Sequence, residues 1–176
     1  MEPLRLIQPG PADAEAIAEY RAAFPAEGLR VTPEPERIPG LDGLEAFPSV
    51  EEWLRYTEAQ RGRISWFLTV RERDGRVVGC ACLRHRLEYD DDDPDFASHI
   101  GYSIRPDAQG QGYGKAQLRL VLREARRLGL QEVRIICRDL NLASGRVIQG
   151  CGGRFVDALH GEESGMTVYR WDVPTA

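Results

Sequence analysis

The sequence contains no long apolar run and no signal for export. No stretch approaches the roughly 20 residues that a helix needs to cross a bilayer, and residues 1–3 do not begin a basic and then apolar secretory signal. Internal repeats and low-complexity tracts are also missing, although the 176 residues include 18 glycines and 11 prolines. We therefore expect a cytoplasmic protein that folds as a single domain over residues 1–176.

The chain also has few cysteines and no excess of basic residues: it contains four cysteines, and its net charge is −5. The cysteines fall mostly in apolar segments, which predicts reduced core thiols rather than disulfides. Cys80 and Cys82 share one face of a predicted strand and His85 follows, but this spacing fits no common zinc motif, so we expect no metal. The acidic balance argues against a general nucleic-acid binder, and a polyanionic ligand would need a local site.

Hydrophobic periodicity predicts a mixed sheet flanked by helices. An Asp-Gly step at Asp74-Gly75 indicates a hairpin, and Ser49 begins a helix with capping-box spacing. The predicted strands are residues 4–7, 64–70, 76–83, 99–104, 133–137, 154–156 and 166–171. Four helices are predicted. The first carries Ile17, Tyr20 and Phe24 on one face, and the second covers residues 49–60. The third has apolar residues at helical spacing from Leu118 to Leu128, and the fourth covers residues 142–149.

A glycine-rich turn stands between a predicted strand and an amphipathic helix. It reads Gln109-Gly110-Gln111-Gly112-Tyr113-Gly114-Lys115. Glycines at alternate positions allow the backbone to approach a ligand closely. The first amides of the following helix lack internal partners, and the helix dipole adds partial positive charge there. This turn therefore predicts a pyrophosphate site.

The spacing of the turn disfavours two common phosphate-binding motifs. A Walker A motif needs Ser or Thr after its lysine, whereas Lys115 is followed by Ala116. The dinucleotide fingerprint needs glycines at relative positions one, three and six, and Gly110, Gly112 and Gly114 occupy one, three and five. Nucleotide hydrolysis and dinucleotide binding are both disfavoured.

The turn instead resembles the Gln/Arg-x-x-Gly-x-Gly/Ala signature of the GNAT acetyltransferases, through Gln109, Gly112 and Gly114. Downstream, Asn141 and Ser144 resemble the Asn-x-x-Ser/Ala helix of that family, so that the resemblance covers residues 97–155. A closer resemblance is to a little-characterised bacterial branch of the family. The segments that carry it are Arg84-His85, the His-Ile-Gly-Tyr-Ser-Ile-Arg-Pro strand at residues 99–106, and Gly152-Gly153.

The resemblance implies the GNAT fold, of the α/β (α+β) class, with a central mixed, mostly antiparallel twisted sheet of about seven strands and about four helices. It also implies acetyl-CoA as co-substrate, no metal, and direct attack by an amine in a ternary complex. The residues expected to bind acetyl-CoA are Tyr102, Ser103, Ile104, Gln109, Gly110, Gln111, Gly112, Tyr113, Gly114, Lys115, Asn141, Ser144 and Arg146.

The catalytic residues are less well defined by the resemblance. His99 occupies a strand position where many relatives carry a base-like glutamate, so it is either the general base or a structural histidine. His85 is a weaker candidate. Ile148 occupies the place of the tyrosine that serves as general acid in many relatives. Either Tyr169 or another residue on a neighbouring strand substitutes for it, or water protonates the thiolate, which is already a good leaving group. A buried structural thiol is favoured over a nucleophile for Cys137.

The acceptor amine is not defined by any motif. The acidic stretch from Asp90 to Asp95 is either a solvated loop or an electrostatic attraction for cationic acceptors. We expect the partners to be acetyl-CoA and an amine acceptor, with neither nucleic acid nor membrane, and leave a homodimer open. The alternative function is a non-catalytic acyl-CoA-binding sensor, in which the missing tyrosine reflects lost chemistry.

Overall fold

Seven strands and four helices alternate along the chain in the computed structural model, which describes residues 2–24, 37–89, 96–162 and 165–175. The strands are β1 (Leu4–Ile7), β2 (Ile64–Arg71), β3 (Val77–Arg84), β4 (Ile100–Ile104), β5 (Glu132–Arg138), β6 (Arg154–His160) and β7 (Thr167–Pro174). The helices are α1 (Ala14–Ala22), α2 (Val50–Ala59), α3 (Tyr113–Arg127) and α4 (Leu142–Gln149). The predicted fold class and numbers of elements are confirmed.

The strands form two sheets rather than one. The first has the order β1-β2-β3-β4 and the second β5-β7-β6, and every described strand pair is antiparallel. β4 and β5 are each an edge strand, and α3 connects them along the chain. The two sheets therefore meet along the unpaired edges of β4 and β5.

The predicted turn and cap signals hold in the structure. Gly75 adopts a φ of 71° in the β2–β3 connection, a conformation that favours glycine. The Ser49 hydroxyl accepts a hydrogen bond from the Glu52 N–H at 3.2 Å and so caps α2. Gly129, with a φ of 86°, follows the end of α3.

Apolar side chains cover both faces of the four-stranded sheet. α1 and α2 pack on one face through residues that include Ile17, Tyr20 and Trp53, whereas α3 packs on the other through residues that include Leu118 and Val121. These five side chains are fully buried, which is the burial that stabilises the layered arrangement. No helix among the described residues is long and apolar enough to cross a membrane.

Gln117 interrupts the apolar face of α3. It is fully buried, and its Nε2 donates a hydrogen bond to the Cys80 carbonyl oxygen at 2.7 Å. A Cβ at Gly79 would lie 1.9 Å from Gln117 Oε1, so only glycine leaves room for the amide. This hydrogen bond fixes the height of α3 over β3.

His99 joins the two sheets at one point. Its backbone N–H donates to the Arg134 carbonyl oxygen on β5 at 2.8 Å. Within the described part of the chain, no other backbone hydrogen bond links β4 to β5. Beyond His99 the edge of β4 therefore stays open toward the second sheet.

Candidate active site

The glycine turn presents bare amides at the start of α3. Gly110 and Gly112 adopt φ values of 74° and 84°, in the left-handed region. Gly112 caps α3 without any side-chain hydrogen bond, so the first amides of the helix are left for an external acceptor. Tyr113 can offer only its backbone to a ligand at this turn, because its ring is buried and its hydroxyl donates a hydrogen bond to the Glu2 carboxylate at 2.6 Å.

The two glutamines of the turn support it instead of projecting from it. Gln109 Nε2 donates to the Ile104 carbonyl oxygen at 3.1 Å, which ties the turn to the end of β4. Gln111 Nε2 donates to the Asp107 carbonyl oxygen at 3.3 Å. These hydrogen bonds hold the turn beside the open edge of β4.

Three cations lie on α3 and α4, two helices that pack against each other at Gly114 and Val147. Lys115, Arg119 and Arg146 form no ion pair with any carboxylate in the described part of the chain. The Lys115 side chain lies against Gly150, where a Cβ would come within 2.9 Å of Nζ. By contrast, arginines beside the first sheet are paired with Asp or Glu. These paired residues are Arg71, Arg76 and Arg105. The surface of α3 and α4 therefore retains positive charge that an anion can neutralise.

The register of β4 sets which of its backbone groups face the opening. The Arg84 N–H donates to the His99 carbonyl and the Arg105 N–H donates to the Val78 carbonyl. Because antiparallel pairs alternate, Tyr102 and Ile104 direct their N–H and C=O groups away from β3, toward the open edge.

Ser103, the residue between them, faces the other way. Its backbone groups are directed at β3, and its hydroxyl lies 3.0 Å from the Tyr20 hydroxyl on the α1 side of the sheet. Of the three strand residues predicted to bind the cofactor, Tyr102 and Ile104 therefore lie at the opening, and Ser103 does not.

α4 begins next to this opening. The Asn141 Oδ1 accepts the Ser144 N–H at 3.0 Å, so its carbonyl side caps the helix. The Ser144 hydroxyl lies 2.8 Å from the Tyr102 hydroxyl. This hydrogen bond connects β4 to α4 across the opening. Ile148, one turn further along α4, is fully buried in the core.

The two candidate histidines are both held by hydrogen bonds. His99 Nδ1 accepts the Arg134 N–H at 2.9 Å. Burial lowers the pKa of His99, and the charges of Arg134 and Arg84 lower it further. The ring is therefore neutral at pH 7, with its proton on Nε2. His85 contacts the Ser65 hydroxyl at 2.9 Å and the Gly62 carbonyl at 3.0 Å.

Tyr169 and Cys137 lie opposite each other on β7 and β5. The Tyr169 ring packs edge-on against Phe155, with ring centroids 5.5 Å apart. Burial raises the pKa of the Cys137 thiol, which keeps it protonated at neutral pH. This environment agrees with a structural thiol.

Asp42 is a mostly buried charged residue, with 14% of its side chain exposed, that sequence reasoning missed. Its Oδ2 accepts hydrogen bonds from Cys82 Sγ at 2.8 Å and the Gly40 N–H at 3.1 Å, and its Oδ1 accepts from Arg37. Burial raises the pKa of this carboxyl, but Arg84 and Arg37 outweigh that effect, so the pKa is below its usual value. No motif around position 42 distinguishes this residue from an ordinary loop aspartate.

Asp42 lies against the middle of β4. A Cβ at Gly101 would come within 3.0 Å of its Oδ2 and 3.4 Å of the Gly40 N atom, and thus residues 40–42 cover this part of the strand. The acidic stretch from Asp90 to Asp95 lies outside the described residues. No group of three or more metal-ligating side chains occurs among the residues that the structure describes.

Comparisons with known proteins agree with this geometry. A family model described as an acetyltransferase (GNAT) domain matches residues 4–154. A search of functionally curated proteins found no match.

Solved structures of several acetyltransferases share the fold. The protein yncA from Salmonella typhimurium, solved with its cofactor acetyl-CoA, has a TM-score of 0.70 and 18% identity, over 98% of this chain and 94% of its own. A chimera of the spermidine N-acetyltransferase SpeG from Vibrio cholerae and hSSAT has a TM-score of 0.68 and 14% identity, over 98% and 95%. RimL, a ribosomal alpha-N-protein acetyltransferase in complex with coenzyme A, has a TM-score of 0.70 and 18% identity, over 97% and 93%.

The match to the family model extends from β1 to the start of β6 and includes the glycine turn, the open edge of β4 and α4. This chain belongs to the GNAT family of acetyltransferases.

Proposed function

We propose that this protein is an acetyl-CoA-dependent N-acetyltransferase that acts on a primary amine by direct attack in a ternary complex. The observation that carries the proposal is the continuity of the site. The open edge of β4, with the N–H and C=O of Tyr102 and the N–H of Ile104, lies beside the turn whose amides begin α3, because Gln109 ties that turn to the Ile104 carbonyl oxygen. An elongated ligand with amides in the middle and a pyrophosphate at one end fits both features.

The described residues match the parts of acetyl-CoA. The pyrophosphate would bind the amides of residues 110–114, and the pantetheine amides would pair with Tyr102 and Ile104. Lys115 on α3 and Arg146 on α4 would neutralise phosphate charge. The cofactor supplies an acetyl group activated as a thioester. The solved structures of yncA with acetyl-CoA and of RimL in complex with coenzyme A support this assignment.

The chain would contribute mainly orientation and electrostatics. Holding an amine and a thioester in the right orientation can lower the activation free energy of the reaction by about 7–11 kcal/mol. A β4 amide at the open edge would also donate to the oxygen that becomes negative during attack. The acceptor is an amine of a small molecule, peptide or protein. The acidic stretch at residues 90–95 supports a cationic acceptor, and the SpeG chimera is named for spermidine, a cationic amine.

The function is tested by release of free thiol from acetyl-CoA in the presence of a library of amines. We expect turnover with one class of primary amine, and more with polyamines than with anionic amines. Acetylated product identified by mass spectrometry would show where the group went. Tight binding of acetyl-CoA with no turnover across the library would contradict the enzyme and support the sensor.

Two variants of His99 distinguish a general base from a residue that only holds β4 in position. Asn places an oxygen near the position of Nδ1 and still accepts the Arg134 N–H, whereas Ala leaves that N–H unsatisfied, at a cost of about 1–3 kcal/mol. We expect His99→Asn to retain most of the turnover and His99→Ala to lose about tenfold through displacement of β4. Equal loss in both variants, together with loss of the acidic limb of the pH profile, would identify His99 as the general base.

The pH dependence of folding provides a second measurement on the same residue. The folded pKa of His99 lies below its ordinary value of 6.5, so the unfolded chain binds a proton first as the pH falls. The stabilisation is present above about pH 6.5 and decreases as the pH is lowered toward the folded pKa. Urea unfolding of the His99→Asn variant should lack this decrease.

A further inference from the structure

Position 148 lacks the phenol that the family resemblance places on α4. Ile148 is fully buried, and its side chain offers no hydrogen-bond donor. Ser144 lies four residues earlier and therefore on the same face of the helix. If a hydroxyl serves the leaving group, it has to come from another element that reaches this face.

Tyr102 brings a phenol to this face from β4. Its hydroxyl lies 2.8 Å from the Ser144 hydroxyl, one helical turn before Ile148. Its own backbone N–H and C=O face the open edge of the strand. Tyr102 thus lies where the pantetheine arm is proposed to run, and its hydroxyl has a fixed position there.

We propose that the Tyr102 hydroxyl donates a hydrogen bond to the departing thiolate, and that Ser144 positions it. This inference rests on the proposed acetyl transfer. The bond between the acetyl carbon and sulfur breaks with its electron pair going to sulfur, while a bond forms between the same carbon and the amine nitrogen. The surplus proton of the amine goes to solvent, and the sulfur takes a proton from solvent, so Tyr102 keeps its own.

The surroundings of Tyr102 suit a donor that stays protonated. Burial raises the pKa of its phenol well above the usual range, and the hydrogen bond with Ser144 lowers it by less. The thiols of Cys137 and Cys151 are also close enough to raise it. When the Ser144 hydroxyl donates to the phenol oxygen at 2.8 Å, the phenol proton has only the Ser144 carbonyl oxygen as an acceptor, at a long 3.5 Å. A thiolate is a stronger acceptor and would take this proton as a hydrogen bond. A hydrogen bond to a charged group is stronger in such buried surroundings than in water.

The experiment measures the pKa of the coenzyme A thiol in its complex with the protein, from thiolate absorbance across pH. The complex with desulfo-coenzyme A provides the baseline for the protein's own thiols. We expect Tyr102→Phe to raise the bound thiol pKa by about one to two pH units, with unchanged affinity for desulfo-coenzyme A. Ser144→Ala should raise it by less. Tyr56→Phe, on α2 across the first sheet, should leave it unchanged.

Turnover gives a second readout once an acceptor is known. Tyr102→Phe should lower kcat by about 10-fold to 100-fold, while the KM for acetyl-CoA stays within about twofold. A change confined to KM would instead show that Tyr102 only binds the cofactor.

The outcomes distinguish this inference from the proposed function. Failure of coenzyme A to bind the natural sequence would overturn both. Normal binding with an unchanged thiol pKa in Tyr102→Phe would overturn only the role of Tyr102. If Tyr169→Phe raised the thiol pKa and Tyr102→Phe did not, the donor would be Tyr169, one of the alternatives that the sequence left open.

Discussion

Replacing Gly112 with Asp should weaken coenzyme A binding by about 100-fold or more, equivalent to about 2.8 kcal/mol. Gly112 caps α3 with a φ of 84°, and its substituent would stand beside the amides proposed to hold the pyrophosphate. A carboxylate there repels the phosphates and competes for the same donors. Isothermal titration with coenzyme A at two ionic strengths measures the effect, which should shrink as salt increases.

Gly112→Asn is the matched control. Asn and Asp have similar shapes and tolerate left-handed backbone better than other residues with a side chain. Both variants should therefore carry a similar backbone penalty of about 1–2 kcal/mol. We expect Asn to weaken binding by about tenfold, so that the remaining difference reports charge. Equal affinities for the Asp and Asn variants would show that no phosphate approaches this turn.

Asp42→Asn should destabilise the fold by about 3 kcal/mol. Asp42 is largely shielded from solvent, with 14% of its side chain exposed, and it lies 3.8 Å from the buried Arg84 guanidinium. The substitution removes the carboxylate that faces Arg84 and that accepts a hydrogen bond from the Cys82 thiol, and breaking a buried ion pair from one side typically costs about 3–5 kcal/mol. The Asn amide still fits the space and can retain one hydrogen bond, which places the expected loss at the lower end. Urea unfolding at pH 7 measures it.

The destabilisation should depend on pH in a defined direction. The folded pKa of Asp42 lies below its ordinary value of 3.8. Its stabilisation is therefore fully present above about pH 4 and is lost as the pH falls through the folded pKa. The gap between the natural protein and Asp42→Asn should narrow over that range. Glu58→Gln removes a carboxylate from an exposed pair with Arg61 and should cost less than about 1 kcal/mol. A similar loss in both variants would contradict the buried role of Asp42.

Much of the fold was predictable because its signals are local. The cap at Ser49, the turn at Gly75 and the end of α3 at Gly129 each depend on a few neighbouring residues. The glycine turn is local in the same sense, since the left-handed backbone at Gly110 and Gly112 needs no distant partner. The remaining strands and helices were predictable from the periodicity of apolar residues.

The arrangement of the site was less predictable, because its contacts join residues that are far apart in sequence. The fit of Gln117 against Gly79 and the pairing of Asp42 with Cys82 each span about 40 residues. His99 appeared in the sequence as a candidate base, and only the Arg134 N–H across the sheet edge shows that its Nδ1 is occupied. Nothing in the local sequence distinguishes an occupied imidazole nitrogen from a free one.

The sequence by itself determined that a glycine turn joins a strand to a helix in this protein and that its spacing is that of the GNAT family. The reason is that backbone conformation at glycine and helix dipoles act over a few residues. Only the tertiary structure decided which groups face the opening between the two sheets. The register of β4 against β3 turns Tyr102 and Ile104 toward the opening and Ser103 away from it, and the packing of α4 brings Ser144 to Tyr102. Register and packing depend on the whole core, so one strand read alone does not contain them.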